Sequence, residues 1–346
     1  VGHSPAEAKE LLRKLLQVQN RNGSAMHQFN PVTMIANEGD SREEEDRDNY
    51  YGDDNLWIIL AVVAYLKETG DMDFLDEVIP FYEKNKLEQP LEEGTVLEHL
   101  KRSLSFTKNN TGKNGLPVLG FADWNDTINL PKGAQSVFVA NLYGVGLLEM
   151  VDLMEYLEEF GLIQGYMDDY KHMKQVVNEQ AWDGEWYIRY FDHDGSKLGS
   201  KESEKGKIFA NAQSWTVMSG FAPVDRGRTA LNSLKKLLNT SKGIKLSYPS
   251  YDGYDPSTGG VTTYPKGAKE NGGIFLHSNP WVMIAETIQG NGNQAFEYYN
   301  QINPATKNDI IEEFECEPYV YPQNILGDEH PQFGLGRNSW LSGTAS

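Results

Sequence analysis

The sequence predicts an all-helical domain whose functional residues lie on the long loops between the helices. Most of the chain alternates segments that carry an apolar stripe at helical spacing with loops rich in glycine, proline or asparagine. Strand signals are few, and no linker or low-complexity stretch divides the 346 residues, of which 39% are hydrophobic. We therefore expect a single domain, residues 1–346, with a sizeable core.

Residues that typically begin and end helices predict the bounds of the helices along the chain. Ser4 is expected to be an N-cap and Pro5 to open the first turn. The stretches "EWYIRYF" (185–191) and "GIKLSYP" (243–249) predict short strands. Helices are predicted at 5–20, 54–69, 72–82, 95–107, 134–159, 165–181, 206–219, 226–238, 274–288 and 292–302.

Charge and composition limit the partners. The 50 acidic and 31 basic residues give a net charge of -19, which repels phosphate backbones and anionic membranes and argues against nucleic-acid and membrane partners. The 39 aromatic residues (7 Trp, 18 Tyr and 14 Phe) could stack on sugar rings, although most aromatics only pack in cores. The single cysteine, Cys316, excludes an intramolecular disulfide and is interpreted as a packing residue. With a polar first stretch and no apolar run of bilayer length, the sequence predicts a cytoplasmic protein.

The stretch "GFADWNDTINLPKGAQS" (120–136) places two carboxylates three residues apart around a tryptophan, directly after an apolar run. In a pocket, Trp124 would be an apolar wall and could push the pKa values of Asp123 and Asp126 apart. At a turn, Asp126 would only cap the turn or the helix expected at 134. Motifs for nucleotide binding, metalloproteases and zinc sites are absent, so carboxylate chemistry is the leading hypothesis. The residues alone leave both interpretations of Asp126 open.

Other positions also allow either a structural or a functional interpretation. His277 in "GGIFLHSNPW" is either a core histidine or part of an anion site near a helix N-terminus. The motif "GDD" (52–54) is first a helix N-cap and second an acceptor for a substrate hydroxyl, a role for which Asp54 is the candidate. The loop 247–275 suits substrate binding, and we assign Tyr264 to that role. The acidic segment 38–48 is interpreted as a solvated loop, so no metal is predicted.

Five segments together resemble the cellobiose phosphorylase family, glycoside hydrolase family 94. They are "NGSAMHQFNP", "NYYGDDNLWIILAV", "GLPVLGFADWNDTINL", "YPKGAKENGGIFLHSNPWVMIAET" and "EPYVYPQNILGDEHPQFGLGRNSWLSGTAS". The resemblance covers essentially the whole chain. It implies an (α/α)6 barrel with a few short strands in long loops, and inverting phosphorolysis of a β-linked, cellobiose-like disaccharide to α-glucose 1-phosphate. It also implies no cofactor and a homodimer in the complete protein.

The resemblance implies a role for each matching residue. Asp126, the last aspartate of "DWND", would be the general acid, with Trp124 against the sugar and Asp123 beside it. In our interpretation the like charge of Asp123 and the apolar wall of Trp124 raise the pKa of Asp126. The phosphate site would consist of His277, Ser342 and Gly343. Family members usually have a glutamate where this chain has Gln135.

The family also carries an N-terminal β-sandwich and a C-terminal β-layer, so we expect this chain to be a barrel segment that is incomplete at both ends. A phosphorylase needs only an acid, because phosphate is itself the nucleophile, whereas an inverting hydrolase also needs a base. The alternatives are therefore an inverting β-glycosidase and a non-catalytic sugar-binding module. The acceptor (glucose, N-acetylglucosamine, gluconate or a longer glucan) stays open. Candidate bases for the glycosidase are Glu312, Glu313, Glu315 and Glu317.

Overall fold

The computed structural model describes residues 3–37 and 49–344. These residues divide into two compact units. Unit 1 contains residues 1–124 and 131–175, and unit 2 contains residues 125–130 and 176–346. The chain passes from one unit to the other between Trp124 and Asn125, inside the "DWND" motif.

The described residues form ten α-helices, and nine of them lie where the sequence predicts a helix. The predicted helix at 72–82 is wrong: a 3-10 helix, Met72–Asp76, is followed by a strand, Val78–Pro80. The β-branched pair Val78 and Ile79 favours a strand, and Pro80 cannot continue a helix. The helices are α1 (Pro5–Gln17), α2 (Asp54–Thr69), α3 (Val96–Asn109), α4 (Val137–Tyr156), α5 (Phe160–Gln180), α6 (Ala210–Met218), α7 (Val224–Leu238), α8 (Ser278–Ile288), α9 (Gly292–Ile302) and the unpredicted α10 (Ile311–Phe314).

Hydroxyl caps define two of these helix starts. The Thr95 hydroxyl accepts the backbone N–H of Glu98 at 3.2 Å and begins α3. The Ser136 hydroxyl accepts the backbone N–H of Val139 at 3.1 Å, so α4 begins three residues later than predicted. Each cap satisfies an N–H group that has no partner within its helix.

Within residues 3–37 and 49–344, fourteen strands of two to four residues form small sheets between the helices. They are β1 (Gln28–Phe29), β2 (Ala36–Asn37), β3 (Val78–Pro80), β4 (Glu93–Thr95), β5 (Gln135–Ser136), β6 (Tyr190–Phe191), β7 (Lys197–Leu198), β8 (Ile208–Phe209), β9 (Asn239–Thr240), β10 (Gly243–Ile244), β11 (Ser247–Tyr248), β12 (Ile274–Phe275), β13 (Pro322–Ile325) and β14 (Gly336–Ser339). The predicted strand 185–191 shortens to β6, and 243–249 divides into β10 and β11. A three-stranded antiparallel sheet in unit 2 has the order β12, β13, β14 and pairs Phe275 with Asn324 and Asn324 with Arg337.

The core of unit 1 contains α2 packed on α4. Helix α4 is long and apolar enough to cross a bilayer, which corrects the expectation that no such run exists. However, 78% of its apolar window is buried inside the protein, as is typical of a core helix. In unit 2, α8 packs on α6 and α9. There the buried Cys316 belongs to an apolar cluster with Ile274, Phe314 and Ile325, which fits its predicted packing role.

Candidate active site

The backbone of Asp126 is held by a loop that is bonded to a second loop of unit 2. Asn129 donates its backbone N–H to the carbonyl of Thr258 at 3.1 Å, and Val261 donates to the carbonyl of Thr127 at 2.7 Å. The Asn129 amide donates to the carbonyl of Asp126 itself at 2.9 Å. Asp126 is exposed to solvent. The loop therefore fixes the backbone of Asp126 and leaves Asp126 accessible to a ligand.

Gly259 makes this close approach of the two loops possible. Its φ of +100° lies in the region that favours glycine. A Cβ at this position would lie 2.6 Å from the backbone nitrogen of Asn129. Any other residue would therefore push the two loops apart.

Asn125 anchors the same loop from within unit 2. Its Oδ1 accepts hydrogen bonds from Arg189 Nη2 at 2.8 Å and from Asn211 Nδ2 at 3.0 Å. Its Nδ2 donates to Glu270 Oε2 at 3.3 Å. All four side chains are buried. This polar chain fixes the residue that precedes Asp126 and links it to Glu270.

Glu270 is a buried carboxyl that the sequence reasoning missed. Burial raises its pKa to about 8, and the charge of Asp126 contributes in the same direction. Hydrogen bonds from Thr127 and Asn125 lower the pKa by a smaller amount. Glu270 is therefore largely protonated at neutral pH. Its only sequence signal is a carboxylate within the glycine-rich "KGAKENGGIF", which the motif reading passed over.

Tyr264, predicted to bind substrate, lies close to both carboxyl groups. Burial raises the pKa of its half-buried phenol, and the charges of Glu270 and Asp126 raise it further. The Lys269 ammonium lies 5.2 Å from the centre of the Tyr264 ring. The structure thus brings Asp126, Glu270 and Tyr264 together in unit 2.

His277 and the "SGTA" turn meet, as the phosphate-site prediction requires. A Cβ built on Gly343 would lie 3.2 Å from His277 Cε1, so the turn passes directly against the imidazole. In that turn the Ser342 hydroxyl accepts the backbone N–H of Thr344 at 3.2 Å, and the two hydroxyls are hydrogen-bonded to each other.

His277 immediately precedes α8, and its ring lies 5.2 Å from that of Trp281. Burial lowers the pKa of the imidazole. His277 is therefore neutral at neutral pH and can donate one ring N–H to an anion. At the start of α8 the N–H of Asn279 bonds to the carbonyl of Leu276 and Pro280 has no N–H, so the helix contributes mainly the positive end of its dipole.

In unit 1, Asp54 pairs with His27. The two residues come from different segments among the five that resemble the family. His27 Nδ1 lies 3.1 Å from Asp54 Oδ2, and the His27 ring stacks on Tyr51 with centroids 3.6 Å apart. Burial raises the pKa of Asp54, while His27 lowers it. The helix-cap reading of "GDD" is confirmed at Asp53, which occupies the N-cap position of α2, and Asp54 is the first residue of that helix. Contact of Asp54 with a substrate hydroxyl stays a prediction.

Asp123 and Trp124 end the unit 1 part of "DWND". Asp123 is fully buried and accepts a hydrogen bond from the Ser136 hydroxyl at 2.6 Å. The half-buried Trp124 ring lies 6.5 Å from that of Phe138. Since Ser136 caps α4, Asp126 is not the cap of that helix. Contacts of Asp123 and Trp124 with the sugar stay predictions, as does their proposed effect on the pKa of Asp126.

The amide side chain of Gln135 makes two hydrogen bonds to Asn114. Its Oε1 accepts the backbone N–H of Asn114 at 3.0 Å, and its Nε2 donates to Asn114 Oδ1 at 3.0 Å. Gln135 is fully buried. It thus holds the turn around Asn114 with one donor and one acceptor, whereas a glutamate at this position would lack the donor.

The other carboxylates considered from the sequence are on the surface. Glu313 forms an ion pair with Lys242 at 2.6 Å, and Glu312, Glu315 and Glu317 are exposed. The acidic segment 38–48 lies outside the described residues. Within the described ranges, a metal could be held by the ligand atoms of Asp192, His193 and Asp194, which lie within 4.8 Å of one another, but exposed acidic groups are common without one.

Comparisons with known proteins find similar sequences among phosphorylases. N,N'-diacetylchitobiose phosphorylase of Vibrio furnissii is 33% identical, over 99% of this chain and 44% of that protein. Solabiose phosphorylase of Paenibacillus borealis is 30% identical, over 99% of this chain and 42% of that protein. The chain therefore spans less than half the length of these relatives.

Two solved structures share the fold at low sequence identity. A glycosidase in complex with glucose has a TM-score of 0.56 at 10% identity, covering 95% of this chain and 75% of that one. A rhamnosidase from Klebsiella oxytoca with rhamnose bound has a TM-score of 0.54 at 12% identity, covering 94% and 50%. The family described as "Glycosyl hydrolase 94 superfamily, catalytic domain" matches residues 1–346. This chain belongs to the glycosyl hydrolase 94 superfamily.

Proposed function

We propose that the intact protein catalyses the inverting phosphorolysis of a β-linked disaccharide by inorganic phosphate. The observation that carries this proposal is the contact between His277 and the turn that holds Ser342 and Gly343. An imidazole N–H, a hydroxyl and the positive end of the α8 dipole together suit a tetrahedral anion. The "phosphorylase" names of the relatives support the same reaction.

In the proposed reaction, a phosphate oxygen attacks the anomeric carbon from the face opposite the glycosidic bond. The bond between that carbon and the leaving oxygen breaks, and Asp126 gives its proton to the leaving oxygen. The products are an α-sugar 1-phosphate and a free sugar, and Asp126 is left ionised. Phosphate is a substrate, so the scheme uses no cofactor.

Glu270 has a supporting part in this scheme. It is protonated at neutral pH and adjoins Asp126, so the two carboxyl groups hold at least one proton between them. A sugar covering the exposed Asp126 removes water from it, and this loss of solvent favours moving the shared proton to Asp126. We propose that Glu270 supplies Asp126 with the proton that the leaving group needs.

The glycosidase alternative is less well supported. An inverting hydrolase needs an ionised base to activate water. The carboxyl that interacts with Asp126 in unit 2 is Glu270, whose raised pKa makes it a poor base at neutral pH.

The proposal also covers the substrate, the barrel architecture, the cellular location and the oligomeric state. We propose that the substrate resembles cellobiose in its β-linked glucosyl unit, although the names of the relatives include chitobiose and solabiose phosphorylases. We further propose an (α/α)6 barrel, a cytoplasmic location and a homodimer. The helix content and the likeness to solved glycosidases support the barrel proposal.

The decisive test of function is phosphate dependence in the intact protein. We expect disaccharide breakdown only when phosphate is present, with release of a sugar 1-phosphate. Turnover in phosphate-free buffer would establish the hydrolase instead.

Replacing His277 with alanine should raise the apparent KM for phosphate at least about tenfold, or about 1.4 kcal/mol, with a smaller change in the KM for the sugar. An unchanged phosphate constant with a collapsed melting temperature would mean that His277 is only a core residue.

A further inference from the structure

A cavity of about 250 Å³ lies beside Tyr264 in unit 2. Strands β13 and β14 and the segment that precedes β12 contribute its walls. Tyr264 directly follows the 3-10 turn Gly260–Thr263, whose Val261 donates to the carbonyl of the residue after Asp126, so the cavity lies near the proposed acid. Its principal lining residues are Tyr264, Lys269, Asn324, His330, Gln332 and Arg337.

The lining of this cavity is basic, whereas the chain as a whole carries a net charge of -19. Lys269 and Arg337 contribute two cations, and none of its lining residues in the described part of the chain is acidic. The two carboxylates just before His330 are engaged elsewhere. Asp328 pairs with Lys245 at 2.8 Å, and Glu329 accepts the Ser250 hydroxyl at 2.7 Å. The cavity therefore favours an anion.

A buried donor at the cavity also calls for an acceptor. Asn324 lies in β13 directly opposite Arg337 of β14, so the two side chains emerge on the same face of the sheet. Asn324 Oδ1 accepts the backbone N–H of Lys269 at 3.3 Å, which orients the amide. Asn324 is completely buried, and its Nδ2 has no hydrogen-bond partner among the described residues. An acceptor atom of a ligand would satisfy this donor.

We propose that this cavity binds the sugar released by the reaction and that this sugar carries a carboxylate, as an aldonate or a uronate does. The proposal rests on the proposed function. Arg337 and Lys269 neutralise the carboxylate, Asn324 Nδ2 donates to an oxygen of the sugar, and Tyr264 provides an apolar wall for the ring. Cavity size and the aromatic wall favour a sugar acid over a bare inorganic anion.

Synthesis in the reverse direction tests the proposal on the intact protein. Glucose 1-phosphate and N-acetylglucosamine 1-phosphate serve as donors, and gluconate and glucuronate are compared as acceptors with glucose and N-acetylglucosamine. We expect the acidic acceptors to have KM values at least about tenfold lower than the neutral ones, a factor that corresponds to about 1.4 kcal/mol. Added salt should narrow the difference.

Arg337→Gln should raise the KM of the acidic acceptors about tenfold and change that of the neutral acceptors less than about twofold. Arg337 is exposed, so this change should not disturb folding. Arg228→Gln is the matched control, because it removes the same charge from an exposed position on α7. Equal effects of the two variants would overturn the proposal.

Calorimetry with glucuronate, gluconate and inorganic phosphate separates the remaining outcomes. Synthesis onto neutral sugars, without Arg337-dependent binding of either acid, would overturn the cavity proposal and leave the phosphorylase intact. Arg337-dependent binding of an acid in a protein that makes no disaccharide would support the cavity and sink the proposed function. Tighter Arg337-dependent binding of bare phosphate than of both sugar acids would also overturn the proposal.

Discussion

Glu270 shows how a single residue can change the account of a site. The sequence directed attention to Asp123 as the like charge near Asp126, because three positions separate the two residues. In the structure, Asp123 is buried against Ser136, and the carboxyl whose pKa responds to the charge of Asp126 is Glu270, 144 positions along the chain from Asp126. The two residues lie in separate recognised segments and the sequence analysis assigned no role to Glu270, so the fold was needed to reveal this pair.

The raised pKa of Glu270 predicts a pH dependence of stability. Its ordinary value is 4.5 and its value in the fold is about 8, so the folded state binds this proton more tightly than the unfolded state. The stabilisation is fully present below about pH 4.5 and is lost as the pH rises through about 8. Glu270→Gln keeps the shape and removes the titration. We expect the melting temperature of the variant to fall less between about pH 5 and pH 9 than that of the wild type.

The same substitution should alter the pH profile of kcat/KM. If Glu270 supplies the proton, activity falls as Glu270 ionises, and the alkaline limb of the profile should move or disappear in Glu270→Gln, with a lower maximum. Glu286→Gln is the control, because Glu286 is also a buried carboxyl with a raised pKa but is assigned no role in the reaction. Superimposable profiles for Glu270→Gln and wild type would remove Glu270 from the scheme.

At the scale of elements, the sequence predicted helices well and short strands poorly. The predicted bounds of α2 and α9, 54–69 and 292–302, agree with the structure. The helix predicted at 274–288 begins at Ser278, because Ile274 and Phe275 pair with β13. Two-residue strands depend on partners that are distant in the chain, such as β12 on β13, and a local pattern does not reveal them.

The turn held by Gln135 gives a prediction at this scale. Gln135→Leu keeps a similar volume but removes both hydrogen bonds to Asn114, so we expect a loss of about 1–3 kcal/mol in the free energy of unfolding. Urea denaturation measures this loss. The exposed pair of Gln89 and Asn85 is the control, and Gln89→Leu should cost less than about 0.5 kcal/mol. If Gln135→Leu abolishes activity without loss of stability, Gln135 acts on the substrate instead.

At the scale of the whole molecule, the family was recognisable from the order of five segments, while the site required the fold. The resemblance assigned His277, Ser342 and Gly343 to one phosphate site; the structure places Gly343 against the His277 ring, and phosphate binding stays a prediction. The residues that line the cavity, among them Lys269 and Arg337, lie in two of the recognised segments, but only the fold shows that they share one cavity. Its basic lining is also hidden by a net charge of -19.

The central claim is that Asp126 protonates the leaving sugar, and the dependence of rate on the leaving group tests it most directly. A sugar hydroxyl is a poor leaving group without a proton, whereas a dinitrophenolate leaves readily as an anion. In the intact protein, Asp126→Asn should lower kcat/KM on a disaccharide by about two to four orders of magnitude and retain far more activity on a dinitrophenyl β-glycoside. Asp123→Asn should have a smaller effect on the disaccharide. Equal losses on both substrates in a folded Asp126→Asn variant would contradict the claim.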